Sequence, residues 1–270
     1  MARLDNKVAF ITGVARGQGR AHAVRLAKEG ADIVGIDIAD TLPGVPYDSA
    51  TMADLAETAD LVRAQGRSAL LEQADVRDLG ALKNVADRAV ERFGGLDIVV
   101  ANAGICIPAT WDESTPKMFA DTMDINVTGV WNTVMATAPH LMTRGGGSIV
   151  LISSLAGMKM QPFMVHYTTS KHAVTGMTRA FAAELGLHNI RVNSVHPGAV
   201  GTPMGSGTMV DRITATNASN PRLAPMGTPM LQQWLAEPEE VSAVVAFLAS
   251  DDAKFMTAEH LSIDGGVHAF

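Results

Sequence analysis

Residues 8–30 read VAFITGVARGQGRAHAVRLAKEG: five apolar or β-favouring residues, a glycine-spaced loop, then a helical pattern. Such a succession leads a buried strand into a helix whose first turn opens at the strand's carboxyl end. Gly13, Gly17 and Gly19 follow G-x-x-x-G-x-G rather than the commoner G-x-G-x-x-G. One glycine permits a tight turn and another lets backbone approach a pyrophosphate. The helix N-terminus offers free N–H groups and a positive dipole end. A glycine-rich turn without ligand is the alternative; its place directly after the first strand favours cofactor binding.

The same alternation runs through the chain. Strands are expected at 8–12, 32–37, 68–75, 97–102, 148–153, 190–195 and 260–264, several apolar on both faces. Helices are expected near 18–29, 52–65, 79–93, 116–143, 163–187 and 239–250, with Pro116 and Pro238 as start signals. This implies one α/β domain over residues 1–270, a parallel sheet of about seven strands with helices on both faces. Two stretches fall outside the pattern. Residues 41–50, TLPGVPYDSA, interrupt a normally short strand-to-helix connection, and 197–238 show little periodicity. A loop as long as the second inside a compact domain suggests a lid over substrate.

The second strand ends in Asp37, twenty-four residues beyond Gly13. A carboxylate there can accept from adenosine ribose hydroxyls and repels a 2′-phosphate, which favours NAD over NADP. Arg16 pulls the other way, because a guanidinium in the loop could contact a phosphate. Further on, HYTTSK places Tyr167 and Lys171 four residues apart, on one face of a helix. A phenol is a poor base at neutral pH, but a neighbouring ammonium favours the phenolate.

Composition narrows the partners. The net charge of −7 argues against nucleic acid or anionic membrane as the main partner. No apolar run reaches the roughly 18–20 residues of a spanning helix. The N-terminal MARLDNKVAFITG has only a short apolar stretch and does not read as a signal peptide. The single Cys106 excludes an intrachain disulfide and suits a reducing cytoplasm. No His, Cys, Asp or Glu cluster has metal-ligand spacing.

Seven short motifs occur in a fixed order. They are T-G-x-x-x-G-x-G at 12–19, D-V at Asp75 and Val76, N-A-G at Asn102, Ala103 and Gly104, and N-V at Asn126 and Val127. S-S at Ser153 and Ser154, Y-x-x-x-K at Tyr167 and Lys171, and P-G-x-x-x-T at 197–202 complete the set. In this the chain resembles the classical short-chain dehydrogenase/reductase family over essentially its whole length, with Ala101 where the family often has a second asparagine. The resemblance implies a Rossmann-type doubly wound sheet. It implies a cofactor groove lined by Gly13, Arg16, Gly17, Gln18, Gly19, Asp37 and Ile38, with Asp75 and Val76 at the adenine. Asn102, Ala103 and Gly104 would follow on the ribose side. Pro197, Gly198, Val200, Thr202 and Met204 would hold the nicotinamide end, where Tyr167 and Lys171 also reach the cofactor.

By the same resemblance Tyr167 is the general base, or acid in reverse, and Lys171 lowers its pKa and bonds the nicotinamide ribose. Ser154 steadies the substrate oxygen, and Asn126 positions a water in a proton relay. Ser153 as the donor, and Asn126 as a buried amide satisfying backbone, are the alternatives. Residues 41–50 resemble a carveol-dehydrogenase-like subgroup associated with the redox cofactor mycofactocin. There the extra loop covers an NAD that stays bound and is reoxidised by an outside carrier. Met204, Met209, Met226, Met230 and Trp234 suit a bulky apolar substrate, or equally a lid packing onto the body. The expected activity is hydride transfer between NAD and a secondary, cyclic or terpenoid-like alcohol, in a homotetramer. A 3-oxoacyl reductase using NADPH and a non-catalytic cofactor sensor are the rival readings.

Overall fold

The computed structural model describes residues 3–205 and 207–269. Seven strands, β1 (Val8–Thr12), β2 (Asp32–Asp37), β3 (Ala69–Gln73), β4 (Ile98–Ala101), β5 (Gly147–Ile152), β6 (Ile190–Pro197) and β7 (His260–Ile263), form one sheet. The order is β3-β2-β1-β4-β5-β6-β7 and every pairing is parallel. β4 is apolar throughout and β1 at every position but its last, Thr12, because both faces of the sheet are covered. Along β1, Ala9 and Ile11 pack into the core on one face, while Val8 and Phe10 pack into the core on the other. Phe10 and Ile11 are fully buried, which stabilises the fold by roughly 1.5–3 kcal/mol each.

Helices α1 (Gly17–Lys28), α2 (Met52–Ala64) and α8 (Pro238–Ala249) supply Leu26, Val62 and Val245 to the first face. Helices α3 (Leu79–Phe93), α5 (Gly129–Arg144) and α6 (Val165–Leu185) supply Val85, Val134 and Phe181 to the second. Local chemistry sets the starts. Thr51 and Asp54 form a reciprocal capping box for α2. Thr115 accepts from Met118 N ahead of Pro116 at the start of α4 (Pro116–Met123).

Two expectations are modified. The helix expected at 116–143 is α4 followed by α5, joined through a wider π turn at Asp124–Thr128. The stretch 197–238, read as aperiodic, contains a further helix, α7 (Thr208–Ser219). Its sequence, TMVDRITATNAS, is rich in threonine and asparagine, so propensity gives little signal. Burial of Met209 and Thr216 on one side supplies the tertiary support.

Candidate active site

Because the chain moves outward from β1 to β3 and then crosses back to β4, a crevice opens at the carboxyl ends of β1 and β4. Thr12 and Asn102 lock that junction. Thr12 Oγ1 accepts from Asn102 N and Ala103 N at 3.1 Å, and Asn102 Nδ2 donates to Thr12 O at 3.0 Å and Gly13 O at 3.2 Å. Gly13 and Gly17 have φ of 67° and 54°, the left-handed region open to glycine. A Cβ on Gly19 would stand 1.9 Å from Gly13 O. The loop is therefore folded onto itself as closely as backbone allows.

The groove beyond this loop has a cavity volume of about 180 Å³. Gly13, Arg16, Gly17, Gln18 and Gly19 form its floor; Asp37, Ile38, Asp75 and Val76 line one end; Asn102, Ala103, Gly104, Thr202 and Met204 also line it. Asp37 is nearly buried at the tip of β2, where its carboxylate accepts from Ala15 N at 3.0 Å and Ala39 N at 3.1 Å. Burial alone would raise Asp75, but the Arg77 guanidinium, 2.9 Å from Oδ2, holds it below the usual carboxylate value. Arg16 donates to the backbone carbonyl of Asp48, so its guanidinium straps the 41–50 loop to the glycine turn.

That loop contributes side chains the sequence motifs do not single out. Leu42, Val45 and Tyr47 all line the groove. Their signal was three large apolar-bodied residues in an otherwise turn-like segment. Pro197, Gly198 and Val200 are not among the lining residues. Pro197 closes β6, a Cβ on Gly198 would lie 2.9 Å from Asp264 Cα, and Val200 is buried in a bridge to Ala236.

The expected reacting residues Ser154, Tyr167, Lys171 and Asn126 are not among the lining residues either; Asn126 and Lys171 stand directly behind Gly104, which does line the groove. A Cβ on Gly104 would sit 3.2 Å from Asn126 Oδ1 and 3.5 Å from Lys171 Nζ, so glycine lets both approach. Lys171, on α6, is buried; its Nζ donates to Ile152 O at 3.0 Å and lies 5.6 Å from the centre of the Tyr167 ring. Ser154 follows β5, and its hydroxyl oxygen accepts from Ala156 N at 3.1 Å. That oxygen keeps its own hydrogen for another acceptor. Ser153 is turned away, donating to Lys171 O at 3.0 Å, so Ser154 is the hydroxyl facing Tyr167.

The phenol differs from the expectation. Burial, with Cys106 adding to it, holds Tyr167 above the ordinary phenol value, and the Ser154 hydrogen bond works against this. Desolvation dominates, and the Ser154 bond, not the expected lysine, is what opposes it. Burial also lowers Lys171 to about 8. Between about 8 and the ordinary 10.5 an unfolded chain would bind a proton that folded Lys171 has released, so stability rises with pH across that window. The gain is on the order of 3 kcal/mol. It should be missing from Lys171→Met when urea midpoints of the two proteins are compared across this range. Parallel curves would count against a depressed lysine.

Asn126 sits in the π turn, fully buried. Its Oδ1 accepts from Ile105 N at 2.8 Å, and its Nδ2 donates to Ile105 O at 2.9 Å and Ser170 Oγ at 3.1 Å. The side chain clamps the segment after β4, as the buried-amide alternative requires. His166 is buried off the tyrosine face and donates to Ile107 O at 2.7 Å. Around Tyr167, Cys106, Met164 and Met209 form a small apolar cluster with Tyr47, Met204 and Ile213. Helix α7 is fastened over it by Thr208, which donates to Pro46 O, and by Arg212, which donates to Pro108 O at 3.0 Å. Met230 and Trp234 lie elsewhere, 61% and 64% exposed, so only part of the methionine-rich stretch reaches the tyrosine. Among the described residues no helix is long and apolar enough to cross a membrane.

Fold and crevice together define an α/β protein of the doubly wound, dinucleotide-binding kind. A family profile described as enoyl-(acyl carrier protein) reductase matches residues 13–268. The chain belongs to the short-chain dehydrogenase/reductase family. It is 42% identical to (−)-trans-carveol dehydrogenase of Rhodococcus erythropolis, across 98% of this chain and 99% of that protein. The crystal structure of a short-chain dehydrogenase from Mycobacterium paratuberculosis bound to NAD superposes with a TM-score of 0.98 at 57% identity, covering 99% and 100% of the two chains. Carveol dehydrogenase from Mycobacterium avium in complex with NAD gives 0.92 at 44% identity, with both chains fully covered.

Proposed function

We propose that this protein transfers a hydride between NAD and a secondary cyclic, terpenoid-like alcohol or its ketone. The observation that carries the reading is that Ser154 bonds Tyr167 and Lys171 stands 5.6 Å from its ring, with Lys171 against Gly104 of the groove. When bound, NAD supplies the hydride acceptor. The chain's own groups handle the proton and the oxygen charge. Tyr167 takes the alcohol proton and Ser154 donates to the substrate oxygen as negative charge grows there. Lys171, mostly ammonium at neutral pH, balances the phenolate that Tyr167 becomes. Asn126 holds the Ile105 backbone against which these groups sit.

The residues present fit NAD. A missing Cβ at Gly19 clears the pyrophosphate turn, and Asp37 at the tip of β2 opposes a 2′-phosphate. Arg16, the one group that argued for NADP, is committed to the Asp48 carbonyl. In this reading the 41–50 loop covers the nucleotide and the 197–238 segment, through α7, is the substrate lid. The apolar cluster of Met164, Met204, Met209 and Ile213 suits a hydrocarbon ring, in keeping with the carveol dehydrogenase relatives. The homotetramer is built through α4 with α5, α6 and the C-terminal strand β7, a reading that the exposed Phe119, Trp131, Met135 and Met142 on α4 and α5 support.

One preparation tests all of this. Native mass spectrometry should find four subunits carrying NAD, held under the loop and discharged by an outside carrier such as mycofactocin. Adding a cyclic secondary alcohol should reduce that bound NAD, with an artificial acceptor needed for repeated turnover. Bound NADP, or no hydride transfer from any cyclic alcohol, would overturn the reading. Nucleotide-free monomers cycling freely on added NAD would remove the loop, carrier and tetramer assignments.

A further inference from the structure

Behind Ser154 runs a buried chain of hydrogen bonds that the mechanism above does not use. His196 and Ser194 alternate along β6, facing the same way, and both are fully buried. His196 Nδ1 lies 2.8 Å from Ser154 O, and its Nε2 lies 2.8 Å from Ser194 Oγ. Ser194 is the register partner of His260 on β7, and its Oγ lies 2.7 Å from His260 Nδ1.

The direction of this chain follows from valence. A carbonyl only accepts, so the hydrogen between His196 and Ser154 sits on Nδ1. In a neutral imidazole Nε2 is then a bare acceptor, and Ser194 gives it its one hydroxyl hydrogen at 2.8 Å in preference to Glu259 O, which lies 3.4 Å away. Having none left, Ser194 Oγ accepts from His260 Nδ1–H. Each tautomer fixes the next.

Burial supports the neutral state. It lowers His196 to about 4, opposed by the Ser154 bond and aided by His260, Lys171 and His268 nearby. His260 is also lowered, first by burial and then by Arg179, with Glu259 opposing. His260 Nε2 is itself buried and has no hydrogen-bond partner among the described residues, so a proton placed there would gain nothing.

We propose that His196, locked in its Nδ1–H tautomer by Ser194 and His260, is a positioning residue for the Ser154 hydroxyl. Three bonds then define how Ser154 stands: His196 Nδ1 and Gly157 N, 2.8 Å away, hold its carbonyl, and Ala156 N holds its hydroxyl oxygen. With both fixed, the remaining freedom is rotation of one O–H bond toward the substrate. The inference rests on the reading of Ser154 as donor to the substrate oxygen.

NMR of the whole protein with isotope-labelled histidine should find His196 and His260 both protonated on Nδ1. An Nε2–H tautomer at His196 would overturn the proposal. His196→Phe keeps a ring but no donor and should lower kcat at least about tenfold while NAD affinity holds. His196→Asn returns an N–H near the same place and should recover most of that loss. Unchanged kcat in His196→Phe, or no recovery in His196→Asn, would sink the idea. Should the phenylalanine variant fail to fold, Ser194→Ala removes only the middle link. It should relax the His196 tautomer and reduce kcat, and wild-type behaviour in both would refute the chain. Ser154→Ala separates the two levels. Full turnover there removes the donor reading itself, whereas lost turnover beside an unaffected His196→Phe removes only the positioning role.

Discussion

Tyr167→Phe is expected to lose roughly 10²- to 10⁴-fold in kcat, the usual worth of a positioned general base. The substitution removes one oxygen from a half-buried ring on α6 and leaves its packing with Cys106 and Met164 in place. NAD affinity should change little, because the glycine turn, Asp37 and Asn102 are untouched. The pH dependence should disappear with the rate. Wild type needs the phenolate to take a proton, and burial holds this phenol above its ordinary value, so oxidation of alcohol should accelerate as pH rises. Ketone reduction needs the phenol and should not share that rise. Appreciable residual turnover in the variant, with the same pH profile, would take the proton transfer away from Tyr167.

The second large effect lies at Gly19. In Gly19→Ala the new methyl would meet Gly13 O at 1.9 Å, Gly13 C at 2.7 Å and Asn102 Nδ2 at 2.9 Å. The first two are backbone atoms, so no rotamer change relieves the contact. The turn must widen, pulling Asn102 from the carbonyls of Thr12 and Gly13 to which it donates. Overpacking of this kind costs about 1–3 kcal/mol. Expressed as nucleotide binding, that is roughly a 5- to 150-fold rise in the Kd for NAD. Calorimetry of the variant would measure it, with circular dichroism to confirm the fold. Wild-type affinity would mean the first helix can shift without disturbing the pyrophosphate turn.

Much of the scaffold could be read in advance because its signals are local. VAFIT is apolar on both faces, and a strand buried on both sides needs no more than that; Gly13, Gly17 and Gly19 mark a turn no other residue could make. The four-residue step from Tyr167 to Lys171 is a fact of helix geometry and carried into α6 unchanged. What escaped depended on distant partners. Helix α7 exists because Met209 reaches Cys106 and Tyr47, and no window of TMVDRITATNAS contains that information. Pro197, Gly198 and Val200 belong to a motif that runs beside the groove, but which of them faces it is decided by Asp264 and Ala236. The direction of the Tyr167 pKa likewise depends on how much of the fold closes over it, which spacing cannot reveal.

The π turn at Asp124–Thr128 has a consequence for what the chain can tolerate. In an ordinary α-helix a four-residue step overshoots one full turn by about 40°. The wider turn absorbs that overshoot, so Thr122, Asn126 and Val130 stay on the buried side of one continuous rod. Removing a single residue from the segment would rotate everything after it by about 100° relative to everything before. The amide that grips Ile105 and the valines that meet the sheet are thus in phase only at this chain length, and a frame change here would uncouple them.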